Sequence, residues 1–124
     1  MIHLDTSYLI RALVPHSREH ARLREWAAAQ TPLGISAISW TEFRCGPLAE
    51  QQVALASQVL GEPVAYTSAE AERAAAFFNA TGRRRGSLAD CMVAATALEA
   101  GASLATANMK DFLRFEGAGL SLEG

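Results

Sequence analysis

Four acidic side chains in this sequence are candidates for a joint chemical role. Each lies at the end of a predicted strand or at the start of a predicted helix: Asp5, Glu42, Asp90 and Asp111. Carboxylates brought within a few ångströms repel one another, so one must take up a proton unless a cation lies among them. Oxygen ligands without a well-placed cysteine or histidine suit Mg²⁺ or Mn²⁺, which can activate water and neutralise charge on a phosphate.

Asp90 lies in the segment around which the rest of the chain is organised, Ser87 to Gly101, with the sequence SLADCMVAATALEAG. Apolar residues at helical spacing predict a helix that is buried over much of its surface, and Gly101 is a typical stop. The helix dipole favours the charged form of Asp90 in the first turn. Asp90 is therefore either part of a cap or a carboxylate held ionised for a cation.

Capping is the alternative interpretation for three of the four acids. The spacings Ser39-x-x-Glu42, Ser87-x-x-Asp90 and Asn108-x-x-Asp111 all match the capping box, as does Thr67-x-x-Glu70, to which we assign no chemistry. Asp5 differs because it follows an apolar strand outside any such pattern, with Thr6 and Ser7 as the expected caps of the next helix. An acid at that position favours a functional role.

Alternating apolar strands and helices predict an α/β fold. Strands are expected over residues 2–4, 33–37, 64–66 and 103–106, with a small last strand around Leu120 and Leu122. Right-handed crossovers then give a parallel sheet of four to five strands with helices on both faces. The acids all lie at the edge where the strands end, which is where such sheets bind ligands.

Length and composition indicate a single domain spanning residues 1–124. Half of the residues are hydrophobic and only 19% are charged, as in a globular chain. No apolar run approaches the ~20 residues of a membrane span, and a signal peptide is not evident, so we expect a cytoplasmic protein without a membrane partner. Cys45 and Cys91 are expected to be reduced thiols in the core.

The charge distribution is uneven. A net charge of −2 argues against binding nucleic acid through overall charge. Of the eleven basic residues only Lys110 is a lysine, and three arginines are consecutive at Arg83, Arg84 and Arg85. This basic segment is either a solvated loop or a site that grips phosphates next to the acidic edge.

Four short motifs in order resemble the PIN domain family, and the size and order are similar to those of the VapC toxins of type II toxin–antitoxin pairs. The resemblance covers almost the whole chain and rests on Leu4-Asp5-Thr6-Ser7, Thr41-Glu42, Leu88-Ala89-Asp90 before Ala94-Ala95-Thr96-Ala97, and Leu104-Ala105-Thr106-x-Asn108-x-x-Asp111-Phe112. It implies an α/β/α sandwich on a parallel sheet. It also implies a Mg²⁺- or Mn²⁺-dependent endoribonuclease.

The resemblance assigns roles to individual residues. Asp5 and Asp90 would hold the main metal, and Glu42 and Asp111 would complete the cluster directly or through water. Supporting polar positions would be Thr6, Thr106 and Asn108, while Arg83, Arg84 and Arg85 would contact phosphates of the RNA. The implied partners are an RNA substrate, an antitoxin whose C-terminal segment fills the active groove, and a second copy in a homodimer.

Three other functions remain to be weighed. A phosphatase-like domain needs a second Asp two positions after the first, where Ser7 stands. A receiver-like Mg²⁺-binding signalling domain needs an acidic pair after the first strand and an Asp after the third, whereas Asp5 is single and Thr67 follows Tyr66. A catalytically inactive PIN-like module that binds RNA or protein is disfavoured by the presence of all four acids, and only a metal-dependent cleavage assay separates it from the nuclease.

Overall fold

The structure, a computed structural model, describes all 124 residues and contains one parallel sheet of four strands. The strands are β1 (Ile2–Leu4), β2 (Leu33–Gly34), β3 (Ser103–Ala105) and β4 (Leu122–Glu123), in the order β2-β1-β3-β4. His3 of β1 lies opposite Gly34 on one side and Leu104 on the other. The predicted α/β fold with a parallel sheet is confirmed.

Seven α-helices and a 3₁₀ helix surround the sheet. They are α1 (Thr6–Ala12), α2 (Arg18–Ala28), α3 (Ala37–Arg44), α4 (Glu50–Leu60), α5 (Ser68–Ala80), α6 (Leu88–Glu99), α7 (Met109–Phe112) and the 3₁₀ helix Leu113–Ala118. No helix is both long enough and apolar enough to cross a membrane.

The alternation of side chains along the strands divides the core into two layers. Ile2, Leu4 and Ala105 pack with α1, α2, α3 and α4 in one apolar cluster. Leu104 points to the other face and packs with α5, α6, α7 and the 3₁₀ helix in a second cluster. Helices therefore cover both faces of the sheet, which gives the expected α/β/α sandwich.

Helix α6 is the most deeply buried helix, as its apolar composition predicts. Six of its twelve residues are buried, and three of these are alanines with no exposed surface: Ala94, Ala95 and Ala97. Small side chains let the helix lie close to α5 and to the sheet. The segment ends as predicted, because Gly101 has a φ of +67°, which glycine adopts without strain.

Predictions about three parts of the chain are wrong here. The strand predicted over residues 33–37 ends at Gly34, because α3 begins at Ala37. Residues 64–66 do not form a strand: Val64 alone bridges Ser36, through hydrogen bonds of 2.8 Å from Ala37 N to Val64 O and from Val64 N to Ile35 O. The chain then leaves the sheet because α5 begins at Ser68. Cys91 is a buried free thiol as expected, but Cys45 is an exposed free thiol at the end of α3 rather than part of the core.

His3 is a buried polar residue in the middle of the sheet. Its side chain is 1% exposed, and neither ring nitrogen has a hydrogen-bond partner. A Cβ at Gly34 would lie only 3.1 Å from His3 Cδ2, so the glycine makes room for the ring. Burial, and to a lesser extent the charge of the N-terminal amino group, lower the pKa of His3, so the folded chain favours the neutral ring.

We expect His3 to reduce the stability of the fold in acid. Because its folded pKa lies below the unfolded value, the unfolded chain binds the proton first, and stability falls as the pH drops below ~6.5. In urea titrations His3→Leu should therefore gain stability relative to the native sequence as the pH falls, by up to about 1.4 kcal/mol per pH unit. His16→Asn, at an exposed histidine, is the control; a pH-independent difference for His3→Leu would contradict the prediction.

Candidate active site

A cavity of about 280 Å³ opens at the edge of the sheet where β1 and β3 end. Three of the four predicted acids line it together with polar and apolar neighbours: Asp5, Thr6, Ser7, Ile10, Glu42, Asp90, Val93, Asn108 and Phe112. Residues separated by more than a hundred positions in the sequence thus meet because parallel strands end at one edge.

Asp5 is the N-cap of α1. Its Oδ1 accepts hydrogen bonds from Tyr8 N at 2.9 Å and from Ser7 Oγ at 2.7 Å. The expectation that Thr6 or Ser7 caps this helix, and that Asp5 does not, is therefore wrong. The same carboxylate both starts the helix and faces the cavity, so a capping role does not remove Asp5 from the site.

The loop after β3 fixes the carboxylate of Asp5 from the other side. Thr106 Oγ1 donates to Asp5 Oδ2 at 2.6 Å and accepts from Asn108 N at 2.9 Å. Ser7 Oγ accepts from Ala107 N at 3.1 Å while donating to Asp5. Three of the roughly four acceptor positions of the carboxylate are occupied in this way, which leaves one on Oδ2.

The surroundings of Asp5 affect its charged form in two opposite ways. The residue is 6% exposed. Burial raises the pKa of Asp5, while the hydrogen bonds from Thr106, Tyr8 and Ser7 act in the opposite direction. The hydroxyl and amide donors thus stabilise an ionised carboxylate that its burial disfavours.

Glu42 reaches the cavity from the second turn of α3. The helix begins at Ala37, and its N-cap is Ser36, whose Oγ accepts from Ser39 N at 3.0 Å. The predicted start at Ser39 is therefore wrong, and Glu42 is not part of a capping box. Its one polar side-chain neighbour is Thr6 Oγ1 at 3.4 Å from Oε1, a hydroxyl that also donates to Ser39 O at 2.9 Å.

Asp90 lies in the first turn of α6, as predicted, but it caps nothing. Ser87 Oγ donates to Arg84 O at 2.7 Å, and no side-chain hydrogen bond closes the helix start. Partial burial raises the pKa of Asp90 to about 6, and the charges of Asp111, Glu42 and Asp5 contribute to the increase. Glu42 responds in the same way, since desolvation and the charge of Asp5 raise its pKa. The acids of the cavity therefore repel one another.

Of the four capping-box spacings, only Thr67-x-x-Glu70, to which no chemistry is assigned, is closed by side-chain hydrogen bonds. Glu70 accepts from Thr67 N at 3.4 Å and from Thr67 Oγ1 at 2.8 Å. Glu42 and Asp90 accept no backbone hydrogen bond, so the capping interpretation fails for both.

The structure does not bring Asp111 into the cavity. Asp111 is exposed in the short helix α7 and lines an adjoining depression with Lys110. Asn108 and Asp111 are joined only through the backbone, at 3.0 Å from Asp111 N to Asn108 O. Its carboxylate nevertheless raises the pKa of Asp90, so the two charges act on each other.

The three consecutive arginines also lie outside the cavity. Arg83, Arg84 and Arg85 are exposed in the loop between α5 and α6, which leads directly to Asp90. Arg83 adopts a φ of +51°, and its Nε donates to Asn79 Oδ1 at 3.1 Å. None of the three forms an ion pair with a protein carboxylate.

Sequence reasoning missed two residues at the site. Ser7 relays a hydrogen bond to Asp5, which the Asp-x-Ser spacing could have indicated, because such residues commonly bond locally at helix starts. Arg114 lies with Nη2 at 3.8 Å from Asp90 Oδ2. No local pattern marks Arg114, since it follows Asp90 by 24 positions and is placed by the packing of the 3₁₀ helix.

The donor set fits a magnesium or manganese ion. Oxygen is the only donor type among the acids of the cavity, and the repulsion among them is what a cation would relieve. No three acidic, histidine or cysteine side chains lie close enough to hold an ion jointly. Mg²⁺ is typically held by one or two carboxylates together with water molecules and phosphate oxygens, so the arrangement is sufficient for that mode of binding.

The sequence matches the PIN domain family over residues 2–117, so the chain belongs to that family. The match confirms the resemblance predicted from the motifs. It also excludes the receiver-like and phosphatase-like alternatives. A comparison with curated proteins finds no match.

Solved structures with the same fold include toxin–antitoxin complexes and a toxin. VapBC2 from Rickettsia felis is 23% identical, with a TM-score of 0.76 over 99% of this chain and 98% of that chain. A toxin–antitoxin complex from Klebsiella pneumoniae is 24% identical, with a TM-score of 0.72 over 100% and 97%. VapC20 from Mycobacterium tuberculosis, a sarcin–ricin loop cleaving toxin, is 21% identical, with a TM-score of 0.61 over 97% and 96%.

Thr106 offers a test of how the Asp5 carboxylate is held. Thr106→Val should destabilise the fold by about 1–3 kcal/mol, because it leaves Asn108 N and Asp5 Oδ2 without their buried partner. Thr106→Ser keeps the hydroxyl and should cost less. Urea titrations measure both values, and a loss for Thr106→Val that is no larger than the loss for Thr106→Ser would contradict the importance of the hydrogen bond.

Proposed function

We propose that this protein is a divalent-metal-dependent endoribonuclease that acts as the toxin of a toxin–antitoxin pair. The observation that carries the proposal is the meeting of Asp5, Glu42 and Asp90 in one cavity, where Glu42 and Asp90 have no capping partner. Bringing carboxylates together raises the free energy of the folded state, so such a cluster is typical of a functional site. Membership of the PIN domain family and the fold shared with VapC20 support the same function.

Each acid has a distinct part in the proposed site. Asp5, through the free position on Oδ2, and Asp90 would hold Mg²⁺ or Mn²⁺, with Glu42 and Asp111 contributing directly or through water. When bound, the ion would supply an activated water and neutralise charge on the scissile phosphate. Thr106 and Ser7 keep the Asp5 carboxylate oriented through their hydrogen bonds. Thr6 lies beside Glu42 and Asn108 lines the cavity, so both can order bound water.

Neutralising the acids tests the assignment. Asp5→Asn, Glu42→Gln and Asp90→Asn should each reduce Mg²⁺-dependent cleavage of RNA by more than about 100-fold, since even changes around metal ligands cost 10–100-fold. Each should also relieve growth arrest in a host that lacks the antitoxin. Glu62→Gln, at an exposed acid between α4 and α5, is the control.

The outcomes separate the nuclease from its alternative. A folded variant that still cleaves at the native rate would remove that residue from the site. If the native protein binds RNA or protein but cleaves no RNA with either metal, the chain is the catalytically inactive PIN-like module. Sequencing of RNA ends after brief expression would identify the cleaved target.

The arginine loop is proposed to hold phosphates beside the cleaved bond. Replacing Arg83, Arg84 and Arg85 by alanine should raise KM with little effect on kcat, because the loop lies outside the acidic cavity. A plot of the logarithm of the binding constant against the logarithm of the salt concentration should also become less steep, by roughly 0.7 for each lost phosphate contact with single-stranded RNA. Arg24→Ala, at an exposed position of α2, is the control; an unchanged KM and slope would contradict the role.

The proposed partners follow from the same family. We expect an antitoxin to cover the acidic cavity and block RNA cleavage in the cytoplasm, in keeping with the toxin–antitoxin complex from Klebsiella pneumoniae that shares the fold. We also expect a homodimer. Large apolar side chains that are about half exposed, such as Val14, Leu55 and Leu113, provide surface for such contacts.

A further inference from the structure

Arg114 is a largely buried cation beside the acidic cavity. It lies in the 3₁₀ helix after α7, and its side chain is 16% exposed. Nε and Nη2 are both enclosed by protein and have no hydrogen-bond partner. Burying a guanidinium group without partners is costly, so its surroundings must compensate the charge.

Asp90 is the one carboxylate that pairs with this charge. Arg114 Nη2 lies 3.8 Å from Asp90 Oδ2, which is within ion-pair range but too long for a hydrogen bond. Nε and Nη2 together form the edge of the guanidinium group that binds a carboxylate through two parallel hydrogen bonds. The donor edge, which makes no hydrogen bond, and the Asp90 carboxylate, which accepts none, are therefore complementary in chemistry and charge.

The guanidinium group is itself fixed by the aromatic core. Its Cζ lies 4.7 Å from the centre of the Phe115 ring, a cation–π distance. Phe115 is 1% exposed and packs against Phe77 and Phe112, at 5.0 and 6.0 Å between ring centres. Because these rings are held in the second apolar cluster, Arg114 presents its charge at a fixed place.

We propose that Arg114 is a positioning residue for Asp90, whose carboxylate it orients so that Oδ2 faces the guanidinium group and Oδ1 remains for the cation. The inference rests on the proposed function, because it assigns Asp90 to the cation site. Arg114 contacts neither RNA nor the ion in this role. It limits the motion of Asp90, which has no other partner to fix it.

The effect of removing Arg114 on cation binding distinguishes positioning from simple electrostatics. Losing a positive charge next to the acids would by itself tighten binding of Mn²⁺. Losing orientation weakens it, and changes of this kind around metal ligands typically cost 10–100-fold. We expect Arg114→Gln to weaken Mn²⁺ binding by about 10-fold or more. The measurement is a titration of the folded protein with Mn²⁺, in which electron paramagnetic resonance reports the unbound ion.

Two further variants make the experiment decisive. Arg114→Lys keeps the charge but loses the planar edge, so it should also bind Mn²⁺ more weakly, without the tightening that loss of the charge adds in the glutamine variant. Arg73→Gln is the matched control, because the ion pair from Arg73 Nε to Glu99 Oε1, at 2.6 Å, also joins a neighbouring element to α6 but involves no residue of the cavity. It should leave Mn²⁺ affinity unchanged. If either Arg114 variant folds and binds Mn²⁺ as tightly as the native protein, or more tightly, the positioning role is wrong.

Asp90→Asn in the same titration separates this inference from the proposed function. If Asp90→Asn loses Mn²⁺ binding while both Arg114 variants keep it, only the role of Arg114 fails. If the native protein binds no Mn²⁺, or Asp90→Asn binds it normally, the proposed cation site is wrong and the role of Arg114 is overturned with it.

Discussion

Mutual repulsion among carboxylates at one edge of the sheet is the constraint on which the rest of the site depends. Asp5, Glu42 and Asp90 each have a raised pKa, with burial as the first cause in every case and neighbouring acids as a further cause for Glu42 and Asp90. A folded state whose acids have raised pKa values loses stability as the pH rises and they ionise. The chain keeps this arrangement because the apolar layers on both faces of the sheet fix the elements that carry the acids.

The chain compensates the three charges by different means. Asp5 is stabilised by hydrogen bonds from its own helix and from the loop after β3. Glu42 as a whole is exposed to solvent, although the cavity partly desolvates its carboxylate. Asp90 has the guanidinium group of Arg114 nearby. These differences suggest why a capping role and a proposed catalytic role can coexist at Asp5: a carboxylate held by several donors is both a good helix start and a fixed ligand.

Much of the fold could be predicted from the sequence, and the errors have identifiable causes. Helix α6 and the strands β1 and β3 were expected because their apolar patterns are strong. The apolar segment 64–66 resembles a strand, yet it contributes one bridge, since pairing depends on a neighbour that periodicity does not reveal. The capping-box spacing is ambiguous for a similar reason: it occurs four times, but the side chains close it only at Thr67 and Glu70.

Local order along the chain is enough to indicate which acids follow the strands, which helix is buried and to which family the motifs belong. The folded arrangement alone brings Asp5, Glu42 and Asp90 into one cavity and leaves Asp111 and the three arginines outside it. The same arrangement brings Thr106 into a hydrogen bond with Asp5 and Arg114 beside Asp90. Such contacts join residues 101 and 24 positions apart, and their distances are set by how helices pack on the sheet, which no local pattern encodes.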